Sequence, residues 1–255
     1  SDAGAAATSR ACAEASGATE SGSHPTGDAS EIAPVTVKDR KGERVVAKDE
    51  TPFTCDISKI PNLKPAFGKD GTVTAASSSS ISDGAAALLV VSATAARQHN
   101  LKPLARIVGY ASHAQAPEWF TTAPVGAIQS VLAKTGWSAN DVDLYEVNEA
   151  FACVAMAAIH DIGLTHAKVN INGGACALGH PIGASGLRML FECWLQMRGE
   201  AGARQIDTGK TRALTHNLGG RRMVSLLGMC VIGPSLLRSA VRRIHRRPAP
   251  GRRPA

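Results

Sequence analysis

A single histidine lies in the middle of a glycine-rich segment, and this setting suits acid–base chemistry. The segment spans residues 173–186 (GGACALGHPIGASG) between a predicted strand and a predicted helix. Its glycines let the backbone approach a ligand closely, and Pro181 holds His180 extended just before a helix N-terminus. We expect His180 to be presented to a ligand. A glycine-rich turn whose histidine only caps the helix is the alternative.

A second polar segment follows another predicted strand. Asn148 and Glu149 lie in the sequence VNEAF, residues 147–151, at the edge where open α/β sheets place ligands. Asn148 could orient a water or donate to a developing oxyanion, and Glu149 could fix the local network or cap the next helix. Taken alone, capping is the simpler interpretation.

A third segment is a run of hydroxyl side chains. Residues 71–87 have the sequence GTVTAASSSSISDGAAA. A run of this kind, without bulky side chains, can lie along an extended polar ligand, but a serine run is also typical of a plain linker. The flanking GTVTA and DGAAA favour the ligand-binding interpretation.

Alternating strands and helices are predicted to position these segments. The predicted strands are Leu88–Val91, Ala105–Tyr110, Val142–Val147, Val169–Ile171, Arg212–Leu218 and Met223–Ile232. The predicted helices are Ala123–Lys134, Phe151–Ile162 and Ala184–Arg198. The alternation indicates an α/β fold with a largely parallel sheet. The second helix is apolar around its whole circumference, so we expect it to be buried on all sides.

The basic charge of the chain is concentrated at one end. The net charge is +7, and residues 238–255 contain seven arginines and no acidic residue. The basic and acidic residues in the rest of the chain are therefore equal in number. A nucleic-acid or anionic-surface binder acting through this tail is one alternative function. The tail lacks interleaved aromatic residues, so we expect solvated disorder and no nucleic-acid partner.

Cysteine usage and hydropathy argue against a disulfide-rich protein and against a membrane protein. The six cysteines include no C-x-x-C pair, which predicts no disulfide framework and favours a reducing cytoplasm. No membrane association is expected, because the apolar stretch from Met223 to Leu237 is about 15 residues long and contains Pro234. A zinc site using Cys176 and His180 is a weaker alternative, since this spacing lacks a second ligand pair.

In this order and with these separations, GTVTA, DGAAA, NEAF and GGA-x-ALGHPIGASG resemble the thiolase family over about residues 31–220. The resemblance implies an α/β fold of the layered αβαβα type, with the C-terminal domain complete and the N-terminal domain only partial. The expected divisions are a low-complexity, poorly ordered segment 1–30, a remnant of the loop domain and the end of the N-terminal domain 31–92, the C-terminal domain 93–235, and a disordered basic tail 236–255.

The resemblance also implies roles for single residues. His180 would activate a nucleophilic cysteine and contribute to an oxyanion hole for the thioester oxygen. Asn148 would hold the water that completes that hole, and Ser79 would contact the pantetheine arm of coenzyme A. Gly219, in the segment HNLGG, is expected among the catalytic residues. No metal or permanently bound cofactor is implied, because acyl-CoA and coenzyme A are substrates, and a homo-oligomer is expected.

The implied reaction is carbon–carbon bond exchange between acyl-CoA and acetyl-CoA, and the sequence departs from the family in its cysteines. Nothing before residue 31 resembles the C-x-S/G-G turn of the nucleophile, and Cys12 lacks flanking glycines. Asn217 occupies the position of the family's second cysteine. The HNLGG form resembles sterol-carrier-type thiolases, but Ala150 stands where their substitute cysteine would be.

Two further features limit the activity that the resemblance implies. Phe53 follows the sequence DETP, where the family often has an arginine near the adenine, so adenine binding is less well supported. The chain begins at Ser1, which suggests a processed or partial product, and we expect the isolated chain to have little thiolase activity. The alternative is a non-catalytic acyl-CoA-binding protein of thiolase ancestry.

Overall fold

The computed structural model describes residues 31–48, 56–202, 205–206 and 212–219, and the backbone of 225–232. Its strands are β1 (Val35–Asp39), β2 (Gly42–Val46), β3 (Arg106–Ala111), β4 (Leu144–Val147), β5 (Arg212–Gly219) and β6 (Ser225–Ile232). Its α-helices are α1 (Ala93–Gln98), α2 (Ala123–Thr135), α3 (Ala152–Ile162), α4 (Ala175–Leu178) and α5 (Ser185–Arg198). Short 3-10 helices span Ile57–Asn62, Ala75–Ser77, Pro117–Thr122, Ala139–Asp141 and His166–Lys168.

Four strands form the main sheet in the order β3-β6-β5-β4. Only β4 and β5 are parallel, and β6 runs antiparallel to both β5 and β3. The prediction of a largely parallel sheet is therefore wrong for the described strands. The physical reason is that β5 and β6 are close in sequence, and so short a connection cannot contain the crossover that parallel neighbours need.

Helices cover both faces of this sheet, which confirms the α/β class. Helix α2 packs on β3, β6 and α3, while α5 packs on β5 and β4 from the other side. Because side chains alternate along a strand, Tyr145 and Val147 join the apolar core under α2 and α3, and Leu144 joins a second core under α5. The same alternation turns Glu146 and Asn148 towards α5.

The long helices begin and end within about two residues of their predicted bounds, but the expected burial of α3 on all sides is wrong. Val154 and Ala158 are fully buried, whereas Cys153 is exposed. Among the described residues, neighbouring elements cover this helix on only part of its circumference. None of the helices in the described ranges has both the length and the apolar character that a bilayer-crossing segment needs.

Two predicted strands are absent from the described residues. Residues 88–91 belong to no helix or strand, and Leu89 and Val90 are 80% and 70% exposed. The expected buried strand is wrong, because no described strand pairs with this segment. Residues 169–171 make only one isolated bridge, between Val169 and Tyr145. There Asn170 adopts a positive φ of 48°, which ends strand geometry.

The start of segment 31–92, the expected remnant of the loop domain, contains a solvent-exposed hairpin of β1 and β2. Segments 1–30 and 236–255 lie outside the described residues. The domain boundaries stay predictions.

Candidate active site

The fold brings the three chemically interesting segments together. The serine run forms isolated bridges to both of the others, Ser78 with Phe151 and Ile81 with His180. The His180 N–H donates to the Ser80 carbonyl oxygen at 2.7 Å. Both the backbone N–H and the hydroxyl of Ser79 donate to the carbonyl oxygen of Ala150, at 3.3 and 3.2 Å. The serine run is thus a structural bridge between the other two segments, and it is not a free linker.

His180 is half-buried and makes two side-chain contacts through one ring nitrogen. Its Nδ1 lies 3.3 Å from Asn148 Nδ2 and 2.7 Å from Ser185 Oγ. An amide nitrogen can only donate, so Nδ1 accepts and the neutral ring carries its proton on Nε2. Burial, assisted by the nearby Arg188 cation, lowers the pKa of His180. At neutral pH the ring is therefore uncharged and offers Nε2–H as a donor.

Ser185 stabilises the histidine from the start of α5. Its hydroxyl can donate to His180 Nδ1 or to the carbonyl oxygen of Pro181, which is 3.1 Å from Oγ. Ser185 is only 2% exposed, so water does not compete with these two acceptors for its hydroxyl proton. Sequence reasoning missed this residue. The serine at the first position of the helix after GHP is the signal that could have indicated it.

Asn148 directly follows the last residue of β4 and lies in the candidate site. It is 2% exposed, and its backbone N–H donates to the His216 carbonyl oxygen on β5 at 3.0 Å. This bond extends the parallel pairing by one residue and fixes the direction of the side chain. Asn148 Oδ1 is buried and has no hydrogen-bond partner among the described residues. The amide thus contacts His180 with its nitrogen and keeps an acceptor oxygen available.

Glu149 fixes the loop that carries the glycine-rich segment. Its carboxylate accepts from the Cys176 N–H at 3.1 Å and from Asn170 Nδ2 at 2.8 Å. A Cβ on Gly174 would overlap this carboxyl group, so the close approach requires glycine. The N-cap of α3 is Phe151, which makes no side-chain cap. Glu149 therefore caps α4 and supports the local network, and it does not cap α3, the helix whose cap was expected.

Asn170 replaces a strand neighbour for β4. Its Oδ1 accepts from the Val147 N–H at 2.7 Å, and its Nδ2 donates to the Val147 carbonyl oxygen at 2.9 Å. Asparagine tolerates the left-handed backbone found here better than most residues. Sequence reasoning missed this role and predicted a strand. The asparagine three residues before the glycine pair was the available signal.

The HNLGG segment reaches the same region through Asn217. A Cβ on Gly186 would lie 2.9 Å from Asn217 Nδ2, so this side chain lies against the first turn of α5, next to Ser185. Its Oδ1 is buried without a hydrogen-bond partner in the described part of the chain. Gly219 is the exposed last residue of β5, and no hydrogen bond joins it to His180 among the described residues.

The described cysteines are poor nucleophiles where they stand. Burial, together with the nearby Glu149 carboxylate, raises the pKa of Cys176, whose Sγ donates to the Glu149 carbonyl oxygen at 3.8 Å. Burial also raises the pKa of Cys193, and partial desolvation raises the pKa of the more exposed Cys153. No described cysteine hydrogen-bonds to His180, and the described residues contain no group of three metal-ligating side chains. Cys12 lies outside the described residues.

Two further buried ionisable groups lie near the site and were not found from the sequence. Glu146 is 3% exposed, and burial raises its pKa to about 8, an effect that the Glu192 and Glu149 carboxylates increase and Arg188 opposes. His216 is fully buried, its two ring nitrogens have no described partner, and burial lowers its pKa to about 3. Both are buried and therefore tend to stay uncharged.

The sequence matches two domain models of one family. Residues 101–219 match "Thiolase, C-terminal domain" and residues 6–94 match "Thiolase, N-terminal domain". An acetyl-CoA acetyltransferase of Paracoccus denitrificans is 48% identical over 171 residues, which are 67% of this chain and 44% of that protein. A probable acetyl-CoA acyltransferase of Staphylococcus aureus is 45% identical over 184 residues, which are 71% of this chain and 46% of that protein.

Solved structures give the same result. The Bacillus anthracis acetyl-CoA acetyltransferase superposes with a TM-score of 0.74 at 34% identity and covers 91% of this chain. The Acat5 thiolase of Ascaris suum in complex with coenzyme A superposes with a TM-score of 0.72 at 30% identity, again over 91% of this chain. The chain covers 55% and 56% of these two structures, so it spans about half the length of its relatives.

Proposed function

Because the chain belongs to the thiolase family, we propose that it binds acyl-CoA thioesters and acts as a thiolase-family acyltransferase. The observation that carries the proposal is the convergence of the three motif segments on His180, whose Nδ1 is held by Asn148 and Ser185. The reaction would join an acyl group to the α-carbon of acetyl-CoA and release coenzyme A, or run in reverse.

His180 and Asn148 supply the groups that would receive the thioester. A neutral ring whose Nδ1 is held as an acceptor directs Nε2–H outward, where it can donate to the carbonyl oxygen as negative charge develops there. Asn148 Oδ1, an unpaired buried acceptor among the described residues, can hold a water that donates a second hydrogen bond to the same oxygen. Two donors at this point would polarise the carbonyl for attack.

The acyl-transfer step needs a thiolate that attacks the carbonyl carbon while the bond between the acyl carbon and the sulfur of coenzyme A breaks. The described thiols do not fit this role, since burial raises the pKa values of Cys176 and Cys193. Asn217 cannot act as an acid–base group in place of a cysteine, because an amide does not ionise near neutral pH. We therefore propose that this chain binds acyl-CoA thioesters and turns them over only weakly.

A non-catalytic acyl-CoA-binding protein is the second candidate. It is favoured by the same observation, that no described thiol hydrogen-bonds to His180 while the groups that would bind the thioester oxygen are in place. The two candidates differ only in whether bound acyl-CoA is consumed.

The remaining assignments extend this proposal. We propose that Ser79 lies beside the pantetheine arm, which is supported by its position between the Asn148 and His180 segments. We also propose that Gly219, at the end of β5, contributes its backbone to the catalytic site. Exposed apolar side chains at residues 88–91 support self-association into a homo-oligomer. The free cysteines among the described residues support a reducing, cytoplasmic location, and the proposed acyl-CoA chemistry supports a part in fatty acid metabolism.

Calorimetric titration of the purified chain with coenzyme A and acetyl-CoA, combined with an acetoacetyl-CoA thiolysis assay, tests the proposal. Binding of both ligands supports it, and turnover that His180→Ala removes would favour the enzyme over the binding protein. His166→Ala is the matched control, because His166 is an exposed histidine in a short turn. Absence of binding at millimolar ligand would reject both candidates.

A further inference from the structure

Polar side chains, unusually for a buried interface, face each other between the sheet and α5. On α5, Ser185, Arg188, Glu192 and Gln196 recur at intervals of three and four residues, which places them on one helix face. Ser185, Glu192 and Gln196 are each less than 5% exposed. The strand face opposite presents Glu146 and Asn148 on β4.

A side-chain contact links the two elements within this interface. Arg188 Nη2 lies 3.5 Å from Glu146 Oε2, and Arg188 Nε is buried without a described partner. Glu192, one turn further along α5, accepts hydrogen bonds from Asn172 and, at 3.1 Å, from Gln196. Arg188 is thus an α5 side chain that reaches across to β4.

Each residue of that contact lies next to a residue that contacts His180. Glu146 precedes Asn148 by two residues and so lies on the same face of the strand. Arg188 follows Ser185 by three residues and so lies one turn further along the same helix face. Asn148 and Ser185 are the two side chains that contact His180 Nδ1. The strand and the helix that hold the histidine are thus joined next to it.

The main apolar cluster of α5 lies at the opposite end of the interface. Leu144, Cys193, Met197 and Ala213 form that cluster, at the beginning of the two parallel strands and the later turns of α5. Closer to His180 the buried face of α5 combines Met189 with Ser185 and Arg188, so polar contacts contribute to the distance between strand and helix there. Loss of such a contact would let the first turn of α5 move relative to β4.

We propose that Arg188, through its contact with Glu146, is a positioning residue that keeps Asn148 and Ser185 on the same nitrogen of His180. The consequence for catalysis rests on the proposed function. The positioning itself does not, because it concerns the ligand-free chain. Arg188 never needs to touch substrate: it acts by fixing which ring nitrogen of His180 carries the proton.

Nitrogen-15 NMR of the full chain labelled at histidine tests this directly, with His180→Gln used to assign the signals. In the parent, His180 above its titration range should be the Nε2–H form. Arg188→Met should lower the ratio of Nε2–H to Nδ1–H forms about fivefold, the factor that one hydrogen bond is worth. It should also raise the pKa of His180, since a nearby cation is lost. Arg188→Lys should restore part of both effects.

Arg198→Met is the matched control, because Arg198 lies on the last turn of the same helix, pairs with Glu200 and stacks on Trp194. It should leave the His180 spectrum unchanged. A higher pKa in Arg188→Met with an unchanged ratio of ring forms would make Arg188 a distant charge only and overturn the proposal. If Arg188→Met does not fold, Arg188→Gln replaces it, and an unchanged ratio in that variant overturns the proposal too. Failure to bind coenzyme A would reject the proposed function without affecting this result.

Discussion

Replacing Glu146 with glutamine should make the chain more stable, by an amount that depends on pH. Burial raises the pKa of Glu146 from its ordinary value of 4.5 to about 8 in the folded chain, while the unfolded chain keeps a value near the ordinary one. Between these values the folded state holds a proton that the unfolded state has lost. The free energy of unfolding of the parent therefore falls as the pH rises from 4.5 towards 8.

The size of the effect follows from the width of this window. Each pKa unit corresponds to about 1.4 kcal/mol, so a carboxyl group shifted from 4.5 to about 8 costs roughly 4 to 5 kcal/mol at the upper end. Glutamine has nearly the same shape and does not titrate. The variant and the parent should match near pH 4, where the carboxyl group is protonated in both states, and diverge as the pH rises.

Urea unfolding of the parent and Glu146→Gln at pH values from 4 to 8.5 measures this difference. Glu118→Gln is the control for the substitution itself, since Glu118 is exposed on a 3-10 helix and loses no buried carboxyl group. A flat or negative difference for Glu146→Gln at pH 8 would refute the reasoning. It would mean that Arg188 keeps Glu146 ionised and that the pair stabilises the fold as an ion pair.

Three other substitutions test separate parts of the site by urea unfolding. His216→Leu should make the stability of the chain less sensitive to acid. The pKa of His216 is about 3 in the folded chain against an ordinary 6.5, so the parent loses stability as the pH falls from 6.5 towards 3. The variant should lose less stability over the same range. A parent curve no steeper than that of the variant would contradict this. Gly174→Ala should cost about 1 to 3 kcal/mol, because its Cβ overlaps the Glu149 carboxyl group; Gly183→Ala, where the space is open, is the control, and equal losses would contradict the packing argument. Asn170→Ala should be more destabilising than Asn170→Gly, since glycine keeps the positive φ while both lose the two bonds to Val147; the reverse order would show that backbone strain is not the cause.

The sequence predicted the segments of the site better than their contacts. Spacing and motif order indicated His180, Asn148 and the serine run as a site, and the structure brings these three segments into contact. That Ser79 would bond to the Ala150 carbonyl oxygen could not be predicted, since it depends on how distant parts of the chain fold together. Glu149 shows the same limit, because its partner is the N-terminus of α4 and not the helix that follows it directly.

The errors have physical causes that a pattern does not contain. Apolar residues 88–91 predict a buried strand, but burial requires a neighbouring strand, and none is present among the described residues. Periodicity places Glu146 and His216 in strands, where a single polar residue would ordinarily face water. Only the structure shows that α5 covers one side of this sheet and the α2–α3 layer the other, which leaves both residues buried and shifts their pKa values.

The most direct test of the account compares the affinities of acetyl-CoA and coenzyme A for the parent and for His180→Ala. The two ligands differ in the thioester, so a group that contacts only the thioester oxygen affects one of them. We predict that His180→Ala weakens acetyl-CoA about 2- to 10-fold, the range for one neutral hydrogen bond, and leaves coenzyme A unchanged. Equal losses for both ligands, or no loss for either, would contradict the claim that His180 receives the thioester.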